Sequence, residues 1–128
     1  MEPANIIAEA LLIEAVTETG LTLRQAHVLT TIGRMGARSQ IALTDAARMD
    51  RTTLSKVCRR LVRKGLVRRR RLPQDTRMLA VTLTREGLAK LAEIKAAGTR
   101  ARRAADDVMR LIERQCMGPF AAEPIVPL

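Results

Sequence analysis

The residues of this chain best suited to chemistry are twelve lysines and arginines between positions 48 and 77. Only two acidic residues lie in the same segment, so it carries a large excess of positive charge. The remaining positions hold eleven basic and eleven acidic residues, so the whole formal charge of +10 comes from this one segment. A solvated protein face usually mixes charges of both signs. We therefore expect the basic segment to bind a polyanion. A solubility face or an acidic protein partner is the alternative.

Other kinds of chemistry are poorly supplied. The chain has one His, two Cys, one Phe and neither Trp nor Tyr, so it lacks the rings on which single-stranded nucleic acids stack. No cluster of His, Cys or carboxylates has metal-ligand spacing, and we expect neither an enzyme nor a cofactor. The length of 128 residues suits one domain. Without a membrane-spanning stretch, a signal segment or a disulfide framework, we expect it in the cytoplasm.

The basic segment contains the second of two short predicted helices. Ser39 is placed to cap the first helix and Asp50 the second, which runs from about Arg51 to Lys64 and stops at Gly65. Apolar residues cover one arc of the second helix. The opposite arc carries polar and basic residues, namely Thr52, Lys56, Arg59, Arg60 and Arg63. Two short helices joined by a tight turn, with this division of faces, predict a helix-turn-helix.

A hairpin is predicted directly after these helices. Two short β runs flank Pro73 and Asp75, which favour a turn. A hairpin that follows a recognition helix is a wing. The run 68–71 of four arginines is therefore expected to be a strand edge beside the DNA backbone. A patch resembling a nuclear-localisation signal and a disordered tail are the alternatives.

The outer helices favour dimerisation. We predict a first helix over 5–20, capped by Asn5 and apolar on all sides, and a last helix over 84–117. The last helix is too long for one small domain to cover, unless it is two helices broken near Gly98. A helix from the capping box Thr22-x-x-Gln25 to Gly36 begins the central part. Within one domain, 1–128, we thus expect dimerisation helices at 5–20 and 84–117, a DNA-binding winged helix at 21–83 and an extended tail at 118–128.

Five short motifs follow one another in a specific order: Leu21-Thr22-x-x-Gln25, Asp50-Arg51-Thr52-Thr53-Leu54-Ser55, Leu61-x-x-x-Gly65-Leu66-Val67, Asp75-x-Arg77 and Leu83-Thr84-x-x-Gly87. Together they resemble the MarR (multiple antibiotic resistance regulator) family of winged-helix transcription regulators, over roughly residues 5–117. The resemblance implies a mainly α fold with a small β-hairpin wing, a winged helix-turn-helix with N- and C-terminal dimerisation helices. It also implies a homodimer on a palindromic operator, which many members release when a small anionic aromatic compound or an oxidant arrives.

The chain departs from the family pattern in two places. Arg48 stands where the turn between the two short helices usually has glycine, so we expect that turn to be shaped differently. The sequence ends at Leu128, which leaves little of the family's last helix. We therefore expect the first and the fifth helices to form the dimer interface.

Each candidate DNA-binding residue has an expected role. The base readers lie near the start of the recognition helix, and they are Thr52, Thr53, Ser55, Lys56 and Arg59. Arg60, Arg63 and Arg68 are expected at phosphates. Arg77 is the candidate for a narrow minor groove, and Asp75 supports the wing by shaping the turn or orienting an arginine. The two threonines can instead merely start the helix, and Asp75 with Arg77 can be a plain surface ion pair.

Three remaining residues bear on regulation. His27 is a candidate for an effector cleft between the first, second and fifth helices, or else simply a hydrogen-bonded histidine. Cys58 is expected to be buried as a small apolar residue, and the first helix has no cysteine, so redox sensing is disfavoured, with Cys116 left open.

The expected function is a double-stranded DNA-binding transcription regulator, a ligand-responsive repressor that binds a palindromic operator as a dimer. A non-specific architectural DNA-binding protein and a redox-switched regulator are the alternatives.

Overall fold

The computed structural model describes residues 3–36 and 38–116. Its elements follow one another as α1 (Pro3–Thr17), α2 (Leu23–Met35), β1 (Arg38–Ser39), α3 (Gln40–Ala47), α4 (Arg51–Arg63), β2 (Val67–Leu72), β3 (Asp75–Leu83) and α5 (Arg85–Cys116). The predicted end of the last helix at Met117 and the tail at 118–128 lie outside the described residues.

Side-chain caps begin the helices at the predicted positions. At α2 the backbone N–H of Gln25 donates to Thr22 Oγ1 at 3.1 Å, and the Thr22 N–H donates back to Gln25 Oε1 at 3.2 Å. Ser39, Asp50 and Thr84 each accept a hydrogen bond from the backbone N–H three residues later, at 3.0–3.1 Å. Because a cap satisfies a backbone N–H that has no partner within its helix, these four residues determine where the helices start.

The prediction that Asn5 caps the first helix is wrong, because α1 already begins at Pro3 and includes Asn5. Proline suits the first turn, since its fixed φ is helical and its missing N–H would have no partner there. At the other end of the chain, α5 is one continuous helix of 32 residues, so the alternative of a break near Gly98 does not occur. At ~1.5 Å per residue it is about 48 Å long.

The wing is part of a three-stranded antiparallel sheet with strand order β1-β3-β2. The predicted hairpin pairs β2 with β3, in a register that sets Val67 opposite Leu83 and Arg70 opposite Ala80. Strand β1, in which Arg38 and Ser39 pair with the other edge of β3, was not predicted from the sequence. This third strand ties the start of α3 to the wing.

The core lies between α2, α3, α4 and the base of the sheet. Leu29, Leu43, Leu54, Leu61 and Val81 are completely buried in it. Burying a leucine or valine side chain contributes about 1.5–3 kcal/mol each, so the amphipathic face of α4 is held firmly against the other elements. The opposite face of α4 is left for solvent or a ligand.

The turn between α3 and α4 has a left-handed residue at Arg48. Arg48 ends α3 with φ 54° and ψ 46°, and it is the one non-glycine residue with positive φ among the described residues. This is the left-handed region that side chains with a Cβ disfavour. The backbone thus adopts the left-handed conformation despite the Arg48 side chain, and a turn shaped differently from that of the family stays a prediction.

The helices α1 and α5 pack against each other beside the winged-helix part. Val16 of α1 and Ala97 and Ala101 of α5 are buried. Several large apolar residues of the same two helices remain exposed, namely Ile6, Leu12, Ile13, Leu111 and Ile112. Their exposure agrees with the prediction that α1 has more apolar surface than one chain can cover.

Candidate nucleic-acid interface

Helix α4 is oriented by the arc of apolar residues predicted from its sequence. Leu54, Cys58 and Leu61 have no exposed surface, and Val57 is nearly buried. The other face exposes the neighbouring basic residues Lys56, Arg59 and Arg60. Because the buried arc prevents the helix from rotating, the basic arc is presented to solvent along the whole length of α4.

The predicted base-reading residues lie at the start of this exposed face. Thr52, Lys56 and Arg59 are exposed, whereas Thr53 and Ser55 are half-buried. The hydroxyl of Thr53 donates to Asp50 Oδ1 at 2.6 Å, so this threonine takes part in the cap of the helix. Its hydroxyl proton is engaged there, which fits the alternative reading for Thr53 better than a base contact.

The Asp50 cap has an electrostatic consequence. The hydrogen bond from the Thr53 hydroxyl, and then that from the Thr53 backbone N–H, lower the pKa of the Asp50 carboxyl below its ordinary value. The carboxylate is therefore ionised at neutral pH and accepts both bonds at the N-terminus of α4, where a negative charge is favourable. The start of the recognition helix is fixed by a charged cap.

Two concavities flank Lys56 on the exposed face. One, of about 390 Å³, lies towards α3 and is lined by Gln40, Arg51, Thr52, Ser55, Lys56 and Arg59. The other, of about 520 Å³, lies towards α2 and is lined by Thr22, Leu23, Arg24, Gln25, Thr53, Lys56, Val57 and Arg60. Every charged residue in both linings is basic. The surface on either side of α4 is thus shaped and charged to receive an anionic backbone.

Seven residues of these linings were not predicted as site residues from the sequence, among them Arg24, Gln40 and Arg51. Arg24 lies outside the basic segment, in the first turn of α2, and the structure brings it to the same concavity as Arg60. Gln40 and Arg51 start α3 and α4 and line the concavity on the other side. The capping residues indicated that these three positions lie in first turns. Only the packing of α2 and α3 against α4 shows that the turns face one surface.

The wing presents Arg77 to solvent. Its side chain is 89% exposed, and Nε of Arg77 lies 3.1 Å from Oδ1 of Asp75. The Arg77 side chain, and then its backbone N–H, hold the pKa of Asp75 below the ordinary value. Asp75 therefore accepts hydrogen bonds from both the backbone and the side chain of Arg77, and its role in supporting the wing on DNA stays a prediction. The same contact is also the surface ion pair that was the alternative. Arg63 and Arg68 are exposed as well, on α4 and β2.

The two candidate regulatory residues lie elsewhere. His27 is exposed on α2, and its Nε2 lies 2.9 Å from the carbonyl oxygen of Ala47 at the end of α3. This contact matches the hydrogen-bonded alternative, and an effector role for His27 stays a prediction. Cys58 is completely buried, as predicted, and burial raises the pKa of its thiol. The side chain of Cys116 lies outside the described residues.

Within the described part of the chain, no group of three or more His, Cys, Asp and Glu side chains is arranged to hold a metal ion. None of the helices described is long and apolar enough to cross a membrane. The candidate site consists of an exposed recognition helix, two flanking basic concavities and an arginine on a wing.

These elements define a winged helix-turn-helix, with α3 and α4 as the helix-turn-helix and β2 with β3 as the wing. A family profile described as MarR family matches residues 21–79. A probable transcriptional regulator from Pseudomonas aeruginosa is 32% identical, covering 95% of this chain and 91% of its own, with a TM-score of 0.71. The chain belongs to the MarR family of transcription regulators.

Two solved structures of MarR from E. coli are also similar. The wild-type apo form is 26% identical, covering 89% of each chain, with a TM-score of 0.74. A cysteine-to-serine variant in complex with operator DNA is 26% identical, covering 89% of this chain and 86% of that one, with a TM-score of 0.71. A comparison with curated proteins finds no match.

Proposed function

We propose that this regulator is a repressor that binds double-stranded DNA sequence-specifically, as a homodimer on a palindromic operator. The observation that carries the proposal is the exposed face of α4, with basic concavities on both sides and an arginine on the adjacent wing. A similar E. coli protein has a crystal structure with operator DNA, which supports double-stranded DNA as the partner.

On DNA, α4 lies in the major groove, with its N-terminal residues towards the base edges. Lys56 and Arg59 are the candidates for guanine O6 and N7, since both are long, exposed and basic. Arg24 and Arg60 reach a flanking phosphate from the larger concavity, and Arg63 and Arg68 contact others. Arg77 enters the neighbouring minor groove.

The homodimer follows from the exposed apolar side chains of α1 and of the C-terminal part of α5. A C₂ dimer brings the same patch of each chain together. Its two recognition helices then face half-sites whose centres are about 10 base pairs apart. The symmetry of the protein thereby requires a palindrome in the DNA.

The experiment is selection of bound duplexes from a random 30-base-pair library, followed by sequencing. The proposal predicts one enriched motif with two inverted half-sites spaced by about one helical turn. Binding without any enriched motif would support the architectural alternative, and failure to retain DNA would refute both.

Release of the DNA by a small molecule is the regulatory part of the proposal, and release by oxidation is its alternative; both come from family membership. The complete burial of Cys58 weighs against oxidation at this residue, since reactive thiols are accessible and have lowered pKa values. Treatment of the selected complex with peroxide is therefore expected to leave DNA binding intact. Loss of binding that is prevented by changing Cys58 and Cys116 to Ser would establish a redox-switched regulator instead.

A further inference from the structure

One of the four consecutive arginines of β2 does not point into solvent. Side chains alternate between the two faces of a strand. Arg68 and Arg70 are exposed, whereas Arg69 is half-buried and follows the buried Val67 by two positions. Arg69 therefore points towards the body of the protein, in a strand whose charge otherwise suggests contact with an anion.

Arg69 reaches the inner side of the recognition helix. Its terminal nitrogen Nη2 donates a hydrogen bond of 2.9 Å to the backbone carbonyl oxygen of Ser55. Ser55 belongs to α4, and it lines the concavity that holds Thr52 and Arg59. One side chain of the wing strand thus holds the backbone of the helix at the level of its predicted base readers.

The surroundings of the guanidinium are confined. Burial raises the pKa of the Cys58 thiol, and the nearby positive charge of Arg69 offsets part of this rise. Within the described part of the chain, Nε of Arg69 is buried without a hydrogen-bond partner. The cost of burying this Nε without a partner offsets part of what the bond to Ser55 contributes to stability. Stability alone is therefore a poor reason for an arginine at this position.

We propose that Arg69 is a positioning residue for DNA recognition. By joining β2 to the Ser55 carbonyl, it sets the orientation of α4 relative to the wing, so that Arg59 and Arg77 reach their two grooves together. Its charge is directed at the helix backbone and contributes little to phosphate binding. This inference rests on the proposed function, since it needs an operator that α4 reads.

The test compares Arg69→Met, Arg69→Lys and the matched control Arg68→Met with the unmodified protein. Each is titrated against the selected operator and a scrambled duplex at several salt concentrations. For Arg69→Met we expect about tenfold weaker operator binding, the size of one weakened base contact made by a misaligned α4, with scrambled binding nearly unchanged. The slope of log affinity against log salt should stay as in the unmodified protein. Arg69→Lys, which keeps a charged donor, should recover part of the loss.

The control should behave differently. Arg68→Met removes a charge that faces solvent, so both duplexes should bind less tightly and the salt slope should fall by about one unit. Urea unfolding separates positioning from a general structural role, because Arg69→Met should unfold at a midpoint no lower than that of the unmodified protein. If Arg69→Met does not fold, Arg69→Gln, which keeps a neutral donor, replaces it in the same titrations.

Two results would overturn the inference. One is an unchanged ratio of operator to scrambled affinity in the Arg69 variants, whether or not the salt slope falls; the other is a urea midpoint of Arg69→Met well below that of the unmodified protein. Failure of the proposed function looks different, because the unmodified protein would then bind the operator and the scrambled duplex equally well.

Discussion

Replacing Arg48 by glycine should stabilise the protein. Arg48 ends α3 in the left-handed conformation, at φ 54° and ψ 46°. In this conformation a residue with a Cβ is destabilised by about 1–2 kcal/mol, and glycine is not. Glycine also gives the unfolded chain more conformational freedom, which lowers the free energy of unfolding by roughly 0.5–1 kcal/mol. We therefore expect Arg48→Gly to raise the free energy of unfolding by about 0.5–1 kcal/mol per chain.

The turn itself should not change. Its hydrogen bonds run between backbone atoms, from Arg48 N to Asp45 O at 3.3 Å and from Met49 N to Thr44 O at 3.2 Å. The measurement is urea unfolding followed by the helical circular dichroism signal, at one fixed protein concentration because association shifts the midpoint.

Arg48→Ala is the matched control. It removes the same charge from the basic segment but keeps the Cβ, so the strain of the left-handed backbone remains. We expect Arg48→Ala to gain no stability from the backbone. Equal gains for the alanine and the glycine variants would refute the reasoning, since relief of charge repulsion would then be the cause.

Three further predictions concern the dimer, the packing of α5 and the cap of α4. Light scattering of Leu12→Lys should approach the 14.1 kDa mass of one chain at concentrations where the unmodified protein shows twice that mass, and a monomeric unmodified protein would contradict this. Gly87→Ala should strongly destabilise the protein in urea unfolding, because its Cβ would lie 2.0 Å from the Leu66 carbonyl oxygen. The Cβ of Gly98→Ala meets no atom within 4 Å, so this variant should be more stable by about 0.5–1 kcal/mol. Similar effects of the two variants would contradict the packing. Because the pKa of Asp50 is lower in the folded protein, its carboxylate adds stability above pH ~4, and this stability disappears as the pH falls through the folded pKa. In urea unfolding from pH 7 to 2, the free energy of unfolding should therefore decline less for Asp50→Asn than for the unmodified protein. An identical decline would count against the cap.

The local signals in the sequence predicted much of the fold. Thr22, Ser39, Asp50 and Thr84 begin their helices because each supplies an acceptor for a backbone N–H close by in the chain. The outward face of α4 follows in the same way from the period of its apolar residues, which also placed Cys58 in the core.

Features that depend on distant contacts could not be predicted. Strand β1 has two residues and exists through its pairing with Val81 and Ala80, which no local pattern reveals. Arg24 joins the candidate interface only because α2 packs beside α4. Arg69 was counted with its neighbours in one basic run. Strand alternation alone could have indicated its different direction, but not its contact with Ser55.

The most direct test of the account compares Arg59→Ala with Arg63→Ala on the selected operator and on a scrambled duplex, at two salt concentrations. Arg59 lines the concavity near the start of α4, so its loss should cost ~1–3 kcal/mol on the operator and much less on scrambled DNA. Arg63, one turn further along the exposed arc, should weaken both duplexes about equally and reduce the salt slope by about one unit. Equal losses on both duplexes for both variants would contradict the claim that α4 reads bases.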